Sequence, residues 1–401
     1  MDVAKVEKNI LMLNDDCLYL IFSHFTLMEV IEQLEKVCQR FRDIAENVYK
    51  TYYVLDCMKM KNSLFDDRVS FTSTFGKVSE RVQPYVVDLR VDMHWFYIGL
   101  PDLAIMAVVV NYKNLEHLDL KYISCVMKNL PVLTEMFKNL KTARLEHCRI
   151  TDRIGVCLEG ATKLQSLDLS HNLYLHGGFL LKLQNVQKLV MINCEGLKPH
   201  HFIDFCRIYR KLKSLNIRSC DGLDMSCMDA LTLWQQQLQE MEIDKLKSIA
   251  SYQVLADLPN LTHLTLICSD ILTTSVMQGL VARDKIEFLR FLDPHVPSDV
   301  YTQIIHFTKL KVLTLIAMSM DDKFLKQLSC HNTLREAQIG SQNITDAGIL
   351  HLIKVCPMLE YLNVSYCKML QNKELNSVSP TCFVSYKQSE HIFRHALKLN
   401  D

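Results

Sequence analysis

The stretch LQSLDL, from Leu164 to Leu169, is the plainest copy of the pattern that organises this chain. Aliphatic residues occupy its first, fourth and sixth positions, and the pattern returns twelve times at intervals of 22 to 29 residues. Random clustering of apolar residues would not keep that interval, so the period indicates stacked repeats in one elongated unit. The copies start at Val86, Leu115, Leu140, Leu164, Val186, Leu212, Leu238, Leu261, Ile286, Leu310, Leu334 and Leu359.

The pattern and its period resemble the leucine-rich repeat. The resemblance implies an α/β solenoid, a horseshoe in which each repeat contributes a strand, a turn and a returning helix or looser segment. Successive strands joined in this way must be parallel. The aliphatic positions would point into the core, and the residues between them would form a continuous exposed face on the concave side. Such a surface predicts binding rather than catalysis.

The periodicity changes before and after the repeats. From Ile10 to about Lys50 apolar residues recur every three or four positions, which predicts amphipathic helices with a turn around Thr26 to Glu29. A possible strand lies at CFVSY, from Cys382 to Tyr386. We therefore predict a disordered tail at 1–9, a helical module at 10–50, a helical linker at 51–84, about twelve repeats at 85–370 and a C-terminal cap at 371–401.

The composition excludes several classes of function. Forty-five basic residues balance 45 acidic ones, so the whole chain lacks the field that nucleic acid or an anionic membrane would require. No aliphatic run approaches the roughly 20 residues of a membrane span, and the first residues do not resemble a secretory signal. We expect a cytoplasmic or nuclear protein, or one present in both compartments.

The 15 cysteines show no paired spacing of the kind that binds zinc or builds a disulfide scaffold. Four of them, Cys148, Cys194, Cys220 and Cys367, fall three residues after the last aliphatic position of a repeat, and Asn172 holds the equivalent place. We interpret these as buried thiols that contact backbone groups of the turn.

The segment LNDDCLYLIFSHFTLMEVIEQLEKVCQRFRDIA, from Leu13 to Ala45, resembles the F-box. Asn14 departs from the usual proline, and Phe41 replaces the commoner tryptophan. The repeats CRITD, from Cys148, and NITDAGI, from Asn343, resemble the cysteine-containing repeats of F-box proteins. The chain therefore resembles the F-box/leucine-rich-repeat family.

That resemblance implies a subunit that docks a Skp-type adaptor through the F-box, and through it a cullin-RING ubiquitin ligase, while the repeats hold a protein substrate. The apolar positions of the motif, expected to bind the adaptor, are Leu13, Leu18, Ile21, Phe22, Leu27, Val30, Leu34, Val37, Cys38 and Phe41. Two alternatives remain: a helical cap that shields the first repeat, and a ligase-independent scaffold or inhibitor.

No phosphate-binding loop, metalloprotease pair or nucleophile elbow occurs in the sequence, so we expect no catalytic residue and no cofactor. His200, His201 and Cys206 lack a second ligand pair, and we expect no metal site there. Ser170 and His171 are adjacent on or just after a strand, where they would point to opposite sides.

A substrate surface is predicted from the outward strand positions, which should be polar where they meet water. Three neighbouring repeats depart from that rule, and the strand before them is acidic. An apolar patch bordered by acid predicts a partner with hydrophobic anchors and nearby lysine or arginine. The alternative is that the tail or a loop covers the patch. The residues assigned to the surface are Glu240, Glu242, Asp244, Ile267, Phe288, Arg290, Leu292, Val312 and Ile316.

Overall fold

The computed structural model describes residues 10–57, 68–94, 103–124, 128, 130–247, 251–267, 273–292, 295–328, 332–371 and 382–386. The chain divides into two compact units, Met1–Val186 and Gln187–Asp401. Each unit contains parallel strands that pair in chain order, with helical segments between them.

The first unit begins with the helical module and contains the first strands. Its strands are β1 (Val54–Asp56), β2 (Asp88–Asp92), β3 (His117–Lys121), β4 (Thr142–Glu146) and β5 (Ser166–Asp168). Its α-helices are α1 (Asp15–Phe22), α2 (Leu27–Glu32), α3 (Gln39–Tyr49), α4 (Arg68–Val82), α5 (Leu103–Val109), α6 (Leu130–Phe137) and α7 (Gly155–Leu158). Short 3₁₀ helices occupy Ile10–Met12, Leu34–Lys36, Asp152–Ile154 and Gly178–Lys182.

The second unit repeats the same arrangement. Its strands are β6 (Lys188–Val190), β7 (Ser214–Asn216), β8 (Glu240–Ile243), β9 (His263–Leu266), β10 (Phe288–Phe291), β11 (Val312–Ile316), β12 (Glu336–Gly340), β13 (Tyr361–Asn363) and β14 (Phe383–Ser385). Its α-helices are α8 (Pro199–Ile208), α9 (Met225–Trp234), α10 (Val254–Asp257), α11 (Thr274–Arg283), α12 (Ser298–Tyr301), α13 (Asp322–Gln327) and α14 (Asp346–Val355), with a 3₁₀ helix at Thr302–His306.

The predicted solenoid fold is confirmed, because a strand begins two residues after each of the twelve predicted repeat starts. Within a strand the aliphatic positions are buried and the alternate positions face outward. In β3, for example, Leu118 and Leu120 are buried, whereas His117, Asp119 and Lys121 are not. Stacking of the inward positions produces the core of each unit, and each fully buried aliphatic side chain contributes about 1.5–3 kcal/mol before conformational entropy is subtracted.

In five of the repeats, the turn after the strand carries one of the four predicted cysteines or Asn172. The Asn172 amide nitrogen donates to the carbonyl oxygens of Leu145 and Leu169, both at 2.8 Å, and its oxygen accepts from the amides of Cys148 and Ile150. The thiols of Cys148, Cys220 and Cys367 donate to a carbonyl of the preceding repeat; for Cys148 this is the carbonyl of Leu120, at 3.3 Å. Cys148, Cys194 and Cys220 are buried as predicted, but Cys367 is partly exposed.

The residue just before this turn position adopts a left-handed backbone in five successive repeats. These residues are Tyr122, His147, His171, Asn193 and Ser219, and their φ angles are 60°, 55°, 62°, 54° and 54°. Non-glycine residues rarely adopt this conformation, so the turn geometry, repeated from strand to strand, sets where these side chains point.

The predicted helical linker at 51–84 is only partly helical, which corrects the sequence interpretation. Strand β1 precedes α4 and pairs with β2, Leu55 opposite Leu89, and it buries Leu55 in the core. The segment carries no copy of the repeat pattern, so its periodicity could not reveal the strand. The polar, β-branched stretch that starts at Ser70 lies inside α4, where Phe71, Phe75, Val78 and Val82 follow helical spacing and are buried.

The helical module differs from prediction at its turn and in its second helix. Thr26 is the N-cap of α2, and its side chain forms a capping box with Glu29, so the turn ends at Thr26 rather than continuing to Glu29. The apolar series from Val30 to Phe41 is interrupted by a 3₁₀ turn and by Cys38, whose backbone is extended. The interruption changes which of these apolar residues face the interior.

Within the part of the chain that the structure describes, no helix is long and apolar enough to cross a bilayer.

Candidate functional site: an amino-terminal helical module and an outward-facing sheet

The helical module has an apolar core of its own. Phe22 of α1 and Phe41 of α3 meet edge to face, with ring centroids 5.0 Å apart, and both are buried. Leu18, Leu27 and Val30 are buried in the same module. These five residues were predicted to bind the adaptor, but the structure places them inside the module, where they position the helices instead. Helical spacing identified the apolar residues without showing which of them face inward.

Other apolar side chains of the module point to solvent. Val37 is 60% exposed and Leu13 is 37% exposed, so these two keep the predicted position on an accessible surface. Ile21, Leu34 and Cys38 are partly exposed. The sequence interpretation missed Met12, at 68%, and Leu20, at 60%, together with Ile10, Leu11 and Phe25. Isolated exposed apolar residues are ordinary, but a concentration of them in so small a module is the usual mark of an interaction surface.

Arg40 holds part of this surface in place. Its guanidinium donates to the carbonyl oxygens of Leu11, at 2.7 Å, and Leu13, at 2.5 Å, and pairs with Asp15 at 2.7 Å. These bonds keep the exposed Ile10–Met12 turn close to the start of α3, just after Val37 in the chain. The apolar residues of this turn are therefore ordered while they remain accessible.

A buried carboxylate ties the module to α4. Glu35 accepts a hydrogen bond from the Tyr49 hydroxyl at 2.8 Å and two from the Arg81 guanidinium, at 2.9 and 3.1 Å. Burial by itself would raise the pKa of Glu35, but the bonds from Arg81 and Tyr49 outweigh it and leave that pKa below its ordinary value. Lys77 of α4 also pairs with Glu32 at 2.8 Å. The module is thus held in one orientation against the repeats of its unit.

The predicted substrate patch lies on the outward face of the second unit, but it is less exposed than predicted. Phe288 and Arg290 are buried, whereas Ile267, Leu292, Val312 and Ile316 are partly exposed. Register explains the burial, because Phe288 lies opposite His263 and their rings stack at 5.4 Å. The Arg290 guanidinium carbon lies 5.7 Å from the Phe288 ring centre. Large side chains on strands about 4.8 Å apart cover one another.

The acidic residues beside the patch differ in their availability. Asp244 accepts hydrogen bonds from the amide and the hydroxyl of Ser219, at 2.7 and 2.8 Å, and so stabilises a left-handed turn. Glu242 accepts from the Asn216 amide at 2.8 Å but keeps 42% of its side chain exposed. Glu240 lies opposite His263 on the next strand and is partly exposed. Asp244 therefore uses both carboxylate oxygens within the fold, whereas Glu240 and Glu242 remain partly accessible to a partner.

Further along the same face lies an apolar side chain that the sequence interpretation did not assign to the surface. Phe383 of β14 is 61% exposed and stacks on Tyr361 of β13, with ring centroids 6.0 Å apart. The sequence prediction places this strand in the C-terminal cap, so it does not identify Phe383 as a surface residue of the sheet. The alternative prediction, that the tail covers the patch, concerns residues 387–401, which lie outside the described residues.

Among the described residues, one group of potential metal ligands occurs at the strand ends of the first unit. Donor atoms of Glu146, His147 and His171 lie within 4.8 Å of one another. The two imidazole rings are stacked with centroids 4.2 Å apart and planes 9° apart. Imidazole lone pairs lie in the ring plane, so one ion cannot lie in both planes without rotation of a ring. In addition, Glu146 pairs with Lys121 at 3.0 Å. The arrangement is a side-chain stack rather than a metal cage.

Comparison with known proteins supports this description of the fold. Residues 277–400 match a family model described as FBD-associated F-box protein At5g56370, LRR repeats. The structure is similar to one titled "Crystal structure of Rad7 and Elc1 complex in yeast", with a TM-score of 0.53, 14% sequence identity and coverage of 94% of each chain. No curated protein matches the sequence significantly. The fold of the chain is the leucine-rich-repeat solenoid, and residues 277–400 are similar to the repeats that this family model describes.

Proposed function

We propose that this protein is the substrate-recognition subunit of a Skp-cullin-F-box ubiquitin ligase. The observation that carries the proposal is the amino-terminal module, which has a closed core yet presents Met12, Leu13, Leu20 and Val37 to solvent ahead of F-box-type repeats. The structurally similar yeast protein was itself solved in complex with a second protein. The chain would supply binding and positioning, while a separate transferase supplies the thioester chemistry.

The adaptor would cover the exposed apolar residues rather than the buried ones. Burial of a side chain such as Met12 or Val37 in an interface contributes about 1.5–3 kcal/mol at most, so several must act together to give a stable complex. Phe22 and Phe41 would contribute indirectly, because they fix the angle between α1 and α3.

The substrate would bind the outward face of the second unit. The partly exposed Ile267, Leu292, Val312 and Ile316 offer apolar contact, and Glu242 offers a charge that would attract lysine or arginine. Phe288 and Arg290 lie beneath this surface and would shape it.

One experiment tests both halves of the proposal. A Met12→Asp, Val37→Asp variant should lose a co-expressed Skp-type adaptor in affinity capture, yet retain the proteins captured after proteasome inhibition by native protein. A Leu292→Asp, Ile316→Asp variant should show the opposite selectivity. Ile208→Asp, at an exposed aliphatic residue of α8, is the matched control and should change neither.

Two outcomes would reject the proposal. Full adaptor binding by the Met12→Asp, Val37→Asp variant would remove the module from the interface. Failure of the native protein to bind any Skp-type adaptor, with capture of a protein partner intact, would favour the ligase-independent scaffold. The ion pairs of Glu35 and Lys77 with their partners are also compatible with a module that only caps the first repeat, because a cap would need the same attachments.

A further inference from the structure

Two exposed aliphatic side chains lie at the carboxy-terminal ends of the neighbouring helices α8 and α9. Ile208 is 65% exposed and Leu233 is 64% exposed, more than any other large apolar side chain described in the second unit. Gln235 joins the two helix ends, because its side-chain amide donates to the carbonyl oxygens of Cys206, at 2.8 Å, and Tyr209, at 2.7 Å. Ile208 lies between those two carbonyls in the chain, and Leu233 lies two residues before Gln235. Both aliphatic residues therefore border one surface, the α8–α9 junction.

The core does not require the apolar residues of this junction. Phe202 and Phe205 already provide the core side of α8 and are fully buried. Trp234, the last residue of α9, adds a partly exposed aromatic ring beside Leu233. The solvent side of a helix is ordinarily polar, and tryptophan is enriched among the residues that dominate binding energy at interfaces. The α8–α9 junction, which consists of Ile208, Leu233 and Trp234, thus has the composition of an interaction surface.

Exposed cations follow the apolar residues of the junction in the chain. The segment FCRIYRKLKS, from Phe205 to Ser214, contains four basic residues and no acidic one, and the segment ALTLWQQQLQ, from Ala230 to Gln239, contains no charged residue. The carboxy-terminal side of the junction is therefore positively charged. The four basic side chains, all exposed, belong to Arg207, Arg210, Lys211 and Lys213.

The fold accounts for only part of this positive charge. Arg210 donates to the carbonyl oxygens of Cys206 and Tyr209 and so caps α8, a role that suits a cation at a helix carboxy terminus. Arg207 pairs with Asp204 at 2.6 Å, yet 59% of its side chain remains exposed. In the part of the chain that the structure describes, the side chain of Lys213 takes part in no hydrogen bond or ion pair. Positive charge therefore remains available to a partner.

The combination of apolar side chains and cations favours an acidic protein segment over an anionic membrane. Insertion into a bilayer needs a broad apolar helix face, but the large apolar residues of α8 are turned into the core. Asp229, an exposed acid one turn before Leu233, would also be repelled by anionic lipid. An acidic segment with aliphatic side chains can instead match both the apolar and the charged part of the surface.

We propose that the α8–α9 junction binds an acidic segment of a partner protein. Its aliphatic side chains would cover Ile208, Leu233 and Trp234, and its carboxylates would lie towards Arg207 and Lys213. This surface includes neither the helical module nor the outward strand face, so the proposal does not depend on a role in a ubiquitin ligase. Ile208→Asp should accordingly lose the acidic segment while adaptor and substrate capture continue.

Trp234 allows binding at the junction to be measured directly. The sequence contains two tryptophans, Trp95 and Trp234, so the full chain with Trp95→Phe leaves Trp234 as the reporter. The peptide Glu-Leu-Leu-Glu-Asp-Leu-Leu-Glu should move the emission of Trp234 to shorter wavelength as it covers the ring, and its affinity should fall as salt is added. Anisotropy of the labelled peptide with the unaltered chain gives the affinity independently. Serine in place of every leucine keeps the charge and should weaken binding at least about tenfold.

Matched substitutions separate the junction from general attraction. Ile208→Asp should weaken binding of the leucine peptide at least about tenfold, and Lys213→Glu about fivefold at low salt. Met358→Asp and Lys354→Glu are the controls, because they alter an exposed apolar residue and an exposed cation near the end of α14 in the same unit. These two controls should leave the affinity unchanged.

Several results would overturn the proposal. Equal affinity for the leucine and serine peptides, or equal losses in the junction variants and their controls, would indicate non-specific attraction. No binding of the leucine peptide by native protein at low salt would remove the acidic segment as the occupant. Sedimentation of native protein, but not of Ile208→Asp, with phosphatidylserine vesicles would assign the junction to a membrane surface instead.

Discussion

Single side chains close the turns of this fold, and they do so with different numbers of hydrogen bonds. Asn172 joins the carbonyls of Leu145 and Leu169 to the amides of Cys148 and Ile150. A thiol at the equivalent position, such as Cys220, donates to one carbonyl, that of Met191 at 2.7 Å. The thiol compensates by fitting a fully buried position, and burial raises the pKa of Cys220 well above its ordinary value. Cys220 should therefore stay protonated and react slowly.

At Asp119, burial disfavours the ionised form of the carboxyl group more than the nearby cations favour it. Burial raises its pKa from 3.8 to about 6, so the folded state binds more protons than the unfolded state between those values. The charged carboxylate consequently lowers stability at neutral pH, and this penalty decreases as the pH falls through 6 towards 4.

Asp119→Asn should therefore stabilise the protein at pH 7. We expect an increase of about 1–2 kcal/mol in the free energy of unfolding, after allowance for partial solvent screening. The gain should shrink between pH 7 and pH 5, since protonation of native Asp119 removes the same charge. Urea unfolding of both proteins at the two pH values measures the difference. A variant that is less stable at pH 7, or a gain that grows at pH 5, would contradict the assignment.

At the scale of elements, the sequence predicted the strands better than the helices. The same pattern recurs in every repeat, so each copy supports the others. Every predicted start from Val86 to Leu359 precedes a strand by two residues. Strand β1 carries no such pattern and was missed. In the module, helical spacing found Phe22, Val37 and Phe41 alike, although only Val37 is exposed. A small helical module has apolar residues both inside and outside, and the break at Cys38 changes the phase between them.

The substrate face shows a related limit of sequence patterns. Alternation correctly placed Phe288 and Arg290 on the outward side of β10, but it did not reveal that both are buried there. Their burial depends on contacts with side chains of other strands, such as His263, which one strand's pattern does not encode. For the same reason, the sequence pattern could not show that Asp244 accepts hydrogen bonds from Ser219 in the turn of the preceding repeat.

The attachment of the module to α4 gives a prediction at this scale. Arg81→Leu would remove the two hydrogen bonds that the guanidinium donates to the buried Glu35 carboxylate. The hydrogen bond from the Tyr49 hydroxyl would remain. We expect a loss of about 1–3 kcal/mol at pH 7, below the full effect of breaking a buried pair because Arg81 is partly exposed. The pKa of Glu35 is depressed in the native fold, so this contribution is present above its unfolded pKa and is lost as the pH falls.

Chemical denaturation at pH 7 and at pH 4 would measure this loss. Lys77→Leu is the control, because its pair with Glu32 is exposed on both sides and should contribute less to stability than the Arg81–Glu35 pair. Equal effects of the two substitutions, or an Arg81→Leu effect that does not decrease at pH 4, would show that Glu35 does not hold the module in place.

At the scale of the whole molecule, we expect attachment to the ligase and recognition of a substrate to use different surfaces. We propose that the accessible apolar residues of the helical module bind an adaptor, and that the outward strand face of the second unit binds other proteins. Each role belongs to a surface defined by different residues, so binding at one should leave the amides of the other unprotected.

Amide hydrogen exchange of the full chain, with and without a Skp-type adaptor, tests that central claim most directly. We expect slower exchange in the peptides that cover residues 10–50, with no change in the peptides that cover the repeat strands. Protection confined to the repeat strands, or no protection of residues 10–50 in an adaptor-saturated sample, would contradict it.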